Sequence, residues 1–252
     1  MKMHDINPEQ EKIVLLLHPM LVSARLMEEL LAVPMGQEYR YLIPDFSGHG
    51  DDADKLYESA TTEAAQIRTY LSQHNIQEIA LAFGASMGGA VLLELLHDPG
   101  IQIHKLFFEG TSMYEDAGFI STIIRRVMLK KQQKAKAQPE LAHRKMTELY
   151  GEKAGPVMAE HFVRFSPVSL VHVVADCSHI RFPELTEEEQ KNCIFAYGEK
   201  DGDLKKAKKI CPKKYPAARL SIWPGCGHCT FMTEDPERYA AMLTAFLNGE
   251  EI

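Results

Sequence analysis

The chain has 252 residues, 45% of them hydrophobic and 25% charged, with a net charge of −7. That length can bury the core of one α/β domain, with or without an inserted cap, and the acidic balance argues against sequence-independent nucleic-acid binding. No apolar run has the length of a bilayer span, the N-terminus has no signal-peptide core, and the five scattered cysteines do not suggest a disulfide framework, so the expectation is a soluble, cytoplasmic protein with reduced thiols.

In chain order, residues 1–10 are polar and read as a weakly anchored terminus. Residues 12–17 are apolar and β-branched, the pattern of a fully buried strand, and end at His18-Pro19-Met20. A helix is predicted over 21–31, with Pro34 and Gly36 as its stop. Residues 39–43 form the next strand and lead into Asp45-Phe46-Ser47-Gly48-His49-Gly50, a run of turn residues. A helix follows over 61–74, with Thr61 or Thr62 available as N-cap.

Residues 79–96 organise the rest. A strand-length apolar run, 79–83, passes through Gly84-Ala85-Ser86-Met87-Gly88-Gly89 into a breaker-free helix that ends at Asp98-Pro99-Gly100. Ser86 thus sits on a sharp strand-to-helix turn, in strained backbone. A Cβ at Gly84 or Gly88 would clash with neighbouring backbone. The N-terminus of the following helix favours negative charge developing beside the serine.

A short strand over 105–108 is closed by Glu109-Gly110. The alternation of strands and helices then stops from 111 to 176, where helical patches are predicted over 118–136, 140–150 and 156–165. This stretch holds ten basic and seven acidic side chains within an acidic whole. Its run Lys130-Lys131-Gln132-Gln133-Lys134-Ala135-Lys136 reads as a solvated helix face. Strands return at 192–197 and 219–223, followed by Gly198-Glu199-Lys200-Asp201 and Gly225-Cys226-Gly227-His228, and a C-terminal helix covers 235–247. The pattern predicts a mostly parallel, doubly wound sheet of about six strands.

A serine hydroxyl needs a base to take its proton, commonly a histidine oriented by a carboxylate. Ser86, Asp201 and His228 each follow a predicted strand, so their loops can meet over one sheet edge. Asp203 and Glu109 compete with Asp201 for the acid position, Asp203 reading better as the N-cap of a helix from 204. His18 and His49 read as loop braces, with His18 also a candidate for the pocket. Cys226-Gly227-His228-Cys229 has Cys-x-x-Cys spacing, but no second pair accompanies it, and the two thiols read as incidental.

The order Ser86, Asp201, His228, the Gly-x-Ser-x-Gly turn, His18-Pro19-Met20 and the 45–50 loop together resemble the α/β-hydrolase family. The resemblance runs from about residue 12 to the end, apart from 111–176. It implies a core of 12–110 and 177–252 with a helical cap over 111–176. It also implies an oxyanion hole from the N–H groups of Met20 and Met87, and no metal or organic cofactor. Two features depart from the family: Pro19 replaces its usual glycine, and too few residues precede the first buried strand for a full opening hairpin.

The implied activity is hydrolysis of a carboxylic ester of a small molecule. Amide, thioester or lactone hydrolysis, carbon–carbon bond hydrolysis or a lyase step on the same residues, and a slow or non-catalytic small-ligand sensor on the same fold, stand as alternatives. Phe119, Ile120, Ile123, Ile124, Val127 and Met128 share a broad helical face. The expectation drawn from it is an apolar pocket lined by Phe119 or Ile123.

Overall fold

The computed structural model describes residues 1–98 and 100–250. The chain begins with β1 (Lys2–Ile6) and β2 (Ile13–Leu17). Next come α1 (Ala24–Met27), a π-helical turn (Glu28–Ala32), α2 (Val33–Met35) and β3 (Arg40–Asp45). Then follow α3 (Ala60–Gln73), β4 (Glu78–Ile79), β5 (Leu81–Ala85), α4 (Met87–Leu95), β6 (Gln102–Ile103) and β7 (Leu106–Glu109). Three helices succeed β7: α5 (Phe119–Ala137), α6 (Pro139–Arg164) and α7 (Pro167–Ser178). The chain closes with α8 (Glu187–Lys191), β8 (Cys193–Gly198), α9 (Leu204–Lys214), β9 (Arg219–Trp223), α10 (Thr230–Glu234) and α11 (Pro236–Leu247).

The main sheet has seven strands in the order β1-β3-β2-β5-β7-β8-β9. Every neighbouring pair is parallel except β1 with β3. β2, β5, β7 and β8 are buried along their whole length, as strands covered on both faces must be. On one face Phe83 and Phe107 meet Tyr239 and Phe246 of α11. On the other, Phe108 stacks on Phe195 at 4.7 Å, and Phe195 on Tyr215 at 5.5 Å. No helix among the described residues is long and apolar enough to cross a membrane.

Several expectations are corrected. The seventh strand is β1, in the stretch read as weakly anchored. Its partners come from tertiary structure: Arg40 donates twice to the Asp5 carboxylate, and His4 lies 3.0 Å from the Asp45 carboxylate. β1 forms no hairpin with β2, because it pairs along β3. Ile79 belongs to a separate two-stranded ladder, so the strand before Ser86 starts at Leu81. Ser59, and not Thr61 or Thr62, caps α3 by accepting the Thr62 N–H. Pro34 does not stop the second helical segment; it lies in the first turn of α2, where its missing N–H is tolerated. Asp203 makes no side-chain cap on α9. Of the stop 98–100, Pro99 lies outside the described residues.

Helices α5 to α7 occupy the interval where strands were expected to lapse, although α7, absent from the sequence reading, runs on to Ser178. Gly151 breaks α6 with φ 77° and ψ 171°, a conformation that glycine adopts freely. Several bonds fasten α7 to the core. Ser169 accepts the Tyr57 N–H, Asp176 accepts the Tyr57 hydroxyl and the Ala60 N–H, and Arg181, just beyond the helix, pairs with Glu94 of α4.

Candidate active site

Ser86 lies between β5 and α4 with φ 49° and ψ −111°. For a residue with a Cβ this backbone is strained, and such strain persists only where packing enforces it. The packing is backbone on backbone. A Cβ on Gly84 would come 2.8 Å from the Gly88 carbonyl oxygen, and one on Gly88 would collide with the Leu17 and His18 carbonyls. β5 and α4 therefore close onto each other and onto β2, and the turn holding Ser86 cannot relax.

The loops after β8 and β9 are stitched together. The Glu199 N–H donates to the Trp223 carbonyl and the Lys200 N–H to the Cys226 carbonyl, each at 2.9 Å. This brings Asp201 and His228 beside Ser86. The Ser86 hydroxyl lies 2.9 Å from His228 Nε2, and His228 Nδ1 lies 2.8 Å from Asp201 Oδ2. Nδ1–H donates to the carboxylate, which leaves Nε2 as the acceptor facing the serine. Asp201 also accepts the Asp203 N–H at 2.9 Å. Gly110 keeps φ 59° against this pair; a Cβ there would come 3.0 Å from the His228 ring.

Burial alone would lower the His228 pKa. The neighbouring Cys229 thiol and the Asp201 carboxylate outweigh it and hold the imidazole well above its ordinary 6.5. Glu109, the other acid candidate, is fully buried and pushed up to about 7 by burial. Its Oε2 accepts from Trp223 Nε1 and the Tyr239 hydroxyl, each at 2.9 Å, and among the described residues Oε1 has no hydrogen-bond partner. Asp203 lines the cavity, its pKa raised by burial.

Met20 borders the cavity, and Met87 is the first residue of α4. Among the described residues neither amide N–H has a protein acceptor. The loop behind Met20 is braced at Leu21, which has φ 71°. Its N–H donates to His49 Nε2 at 3.1 Å, and its carbonyl accepts from His161 Nδ1 of α6 at 2.8 Å. His18 is buried away from the cavity, in correction of its place among the pocket residues. It donates from Nδ1 to the Pro19 carbonyl and accepts the Phe46 N–H, and burial takes its pKa down to about 3.

A cavity of about 580 Å³ opens above Ser86. Its walls are mainly apolar and rich in methionine: Ile124, Met128, Met146, Met158, Phe162 and Met232. Phe119 and Ile123 are not among its lining residues; they are exposed, because the helix turns the Ile124 and Met128 side toward the cavity. The sequence signal for Met128, Met158 and Phe162 was apolar spacing alone, and His161 gave none. All five cysteines are free thiols, and Cys229 points its sulfur at the Glu109 carbonyl.

Two groups of described residues could offer three ligand atoms to a metal: His4–Asp45–Asp51 and Asp201–Asp203–His228. In each, the buried carboxylate is already committed. Asp45 accepts the Ala24 and Asp51 N–H groups, and Asp201 accepts from His228 and the Asp203 N–H.

The overall fold recurs in solved structures. A thermophilic esterase from Thermogutta terrifontis superposes with a TM-score of 0.74 at 15% identity, covering 98% of this chain and 93% of that one. An esterase from Rhodococcus sp. ECU1013 gives 0.71 at 19%, covering 99% and 94%. A bromoperoxidase from Bacillus anthracis gives 0.72 at 16%, covering 98% and 94%. At such identities the likeness is one of fold. No curated protein matches the sequence significantly. A family model does: residues 14–242 match the alpha/beta hydrolase family, a span that takes in the serine turn and the loops after β8 and β9, and the chain belongs to that family.

Proposed function

We propose that the chain is a serine hydrolase that cleaves carboxylic esters of apolar, small or medium acyl groups. The observation that carries this reading is the hydrogen-bonded series Ser86–His228–Asp201, at 2.9 and 2.8 Å, beneath an apolar cavity. Ser86 Oγ attacks the ester carbonyl carbon while His228 Nε2 takes its proton. Asp201 keeps the imidazole in the tautomer with Nδ1 protonated and stabilises the imidazolium. The N–H groups of Met20 and Met87 receive the developing oxyanion, a contribution of a few kcal/mol per donor. His228 then protonates the leaving alcohol, and water, activated by the same histidine, releases the acid. Helices α5 to α7 act as the cap, supplying the apolar wall for the acyl group.

The test uses p-nitrophenyl esters of graded chain length, with amides and thioesters beside them, and a fluorophosphonate probe. Wild type should hydrolyse the esters and take the probe on Ser86. Ser86→Ala should lose both, with a drop of about 10³-fold or more in kcat and an unchanged melting temperature. Turnover near wild type in that variant would remove the mechanism.

A further inference from the structure

Among the described residues, five of the ten exposed large apolar side chains lie on one helix. On α5, Phe119 is 73% exposed, Ile120 50%, Ile123 46%, Val127 44% and Ile124 39%. At 3.6 residues per turn they fall within an arc of about 140°. The same arc continues over the next turns as Lys130, Lys131 and Lys134, all exposed, with Arg126 on its edge. The helix carries six basic residues and no acidic one, in a chain whose net charge is −7. Of the two acids just before it, Glu115 pairs with Lys214, and Asp116 accepts the Gly118 N–H at the start of the helix and lies beside His179. The opposite face of α5 is occupied internally: Gln132 donates to the Phe162 and Phe165 carbonyls.

We propose that this face of α5 is a docking surface for an anionic lipid bilayer. A helix with exposed large apolar groups followed by a cluster of lysines seats its apolar part at the acyl boundary and its lysines among negative headgroups. A second copy of the chain fits the face poorly. Two α5 helices paired antiparallel would set lysines on the apolar half, and paired parallel they would set lysine against lysine. The face is also continuous with the cavity. Ile124 belongs to both, and Leu149 of α6, 56% exposed, lines the cavity beside it. An apolar ester dissolved in the bilayer would have a greasy path to Ser86.

The test is co-sedimentation with vesicles of ether-linked lipids, whose hydrocarbon chains are attached without a cleavable acyl ester, so that binding is read apart from hydrolysis. Equimolar phosphatidylcholine–phosphatidylglycerol is compared with phosphatidylcholine alone. Wild type should partition onto the anionic vesicles about tenfold more strongly, and about 0.5 M NaCl should remove most of that excess. Phe119→Ser with Ile123→Ser should weaken partitioning about tenfold, and Lys130→Gln with Lys134→Gln several-fold. Both pairs should keep wild-type melting and kcat/KM on a water-soluble ester.

A wild type that stays in the supernatant, or an apolar pair that binds as wild type does, overturns the proposal. So does a wild-type dimer that the apolar pair dissociates, which would make the face an interface between copies. Vesicle binding without ester turnover would leave the docking surface standing and remove the hydrolase reading instead.

Discussion

The indole N–H of Trp223, at the C-terminal end of β9, donates to Glu109 Oε2 at 2.9 Å, and Glu109, which also accepts from Tyr239 of α11, makes no hydrogen bond to His228. The carboxylate that does reach the histidine is Asp201. Asp201→Asn should therefore lower kcat by about 10³- to 10⁴-fold, through the wrong imidazole tautomer. Glu109→Gln and Asp203→Asn should each cost less than about tenfold. Steady-state kinetics on one p-nitrophenyl ester, with melting curves for each variant, decides it. The reverse ranking would move the acid to β7.

In the proposed mechanism His228 takes a proton only when neutral, and its surroundings raise its pKa above 6.5. The value of kcat/KM should then rise with pH and level off, with a midpoint above 6.5. Asp201→Asn should move that midpoint down. A wild-type midpoint below 6.5 would contradict the electrostatic reading of the site.

Glu109 ties stability to pH in the opposite sense from a salt-bridged acid. Its folded pKa is about 7 against an ordinary 4.5, so between those values the folded chain holds a proton that the unfolded chain has lost. Stability from this group is full below 4.5 and falls as pH rises to 7, by up to about 3 kcal/mol. Glu109→Gln should flatten that part of the melting-temperature profile. An unchanged slope in the variant would assign the pH dependence to other groups.

Gly88→Ala should be among the most damaging single substitutions in the core. The added Cβ meets the Leu17 and His18 carbonyls, which are main chain and cannot rotate away. A loss of about 3 kcal/mol or more is expected in urea unfolding. Gly202→Ala, which meets nothing within 4 Å, should stay within about 0.5 kcal/mol of wild type.

Met128 lines the cavity and Phe119 does not. Met128→Ala should shift the optimum of kcat/KM against acyl length toward longer or bulkier chains, by enlarging the pocket. Phe119→Ala should leave the length profile of soluble esters unchanged. Matching profiles in Met128→Ala and wild type would place the acyl group elsewhere.

The serine turn was legible because its geometry restricts residue choice: only glycine fits where Gly88 touches the Leu17 carbonyl. The loops after β8 and β9 were legible by position after buried strands. β1 was not, since Lys2, His4 and Asp5 carry no strand pattern, and what holds them is Asp45 and Arg40 from the neighbouring strand. The cavity-facing side of α5 was not legible either. Six apolar residues there span more than one face, so spacing alone could not separate Ile124 and Met128 from Phe119 and Ile123. His161 lacked any signal, because its partner is a main-chain carbonyl 140 positions away.

That last bond has a mechanical consequence. His161 rides on α6, and Leu21 follows Met20, so one hydrogen bond spans from α6 to the loop that carries Met20. The positive φ of Leu21 is gripped from two sides, by His49 below and His161 above. Displacing α6 to widen the entrance would release the upper grip and let this strained residue relax toward ordinary backbone. The placement of α6 and the backbone of Leu21 are thereby coupled, since one of the two bonds that hold this residue is anchored in the helix.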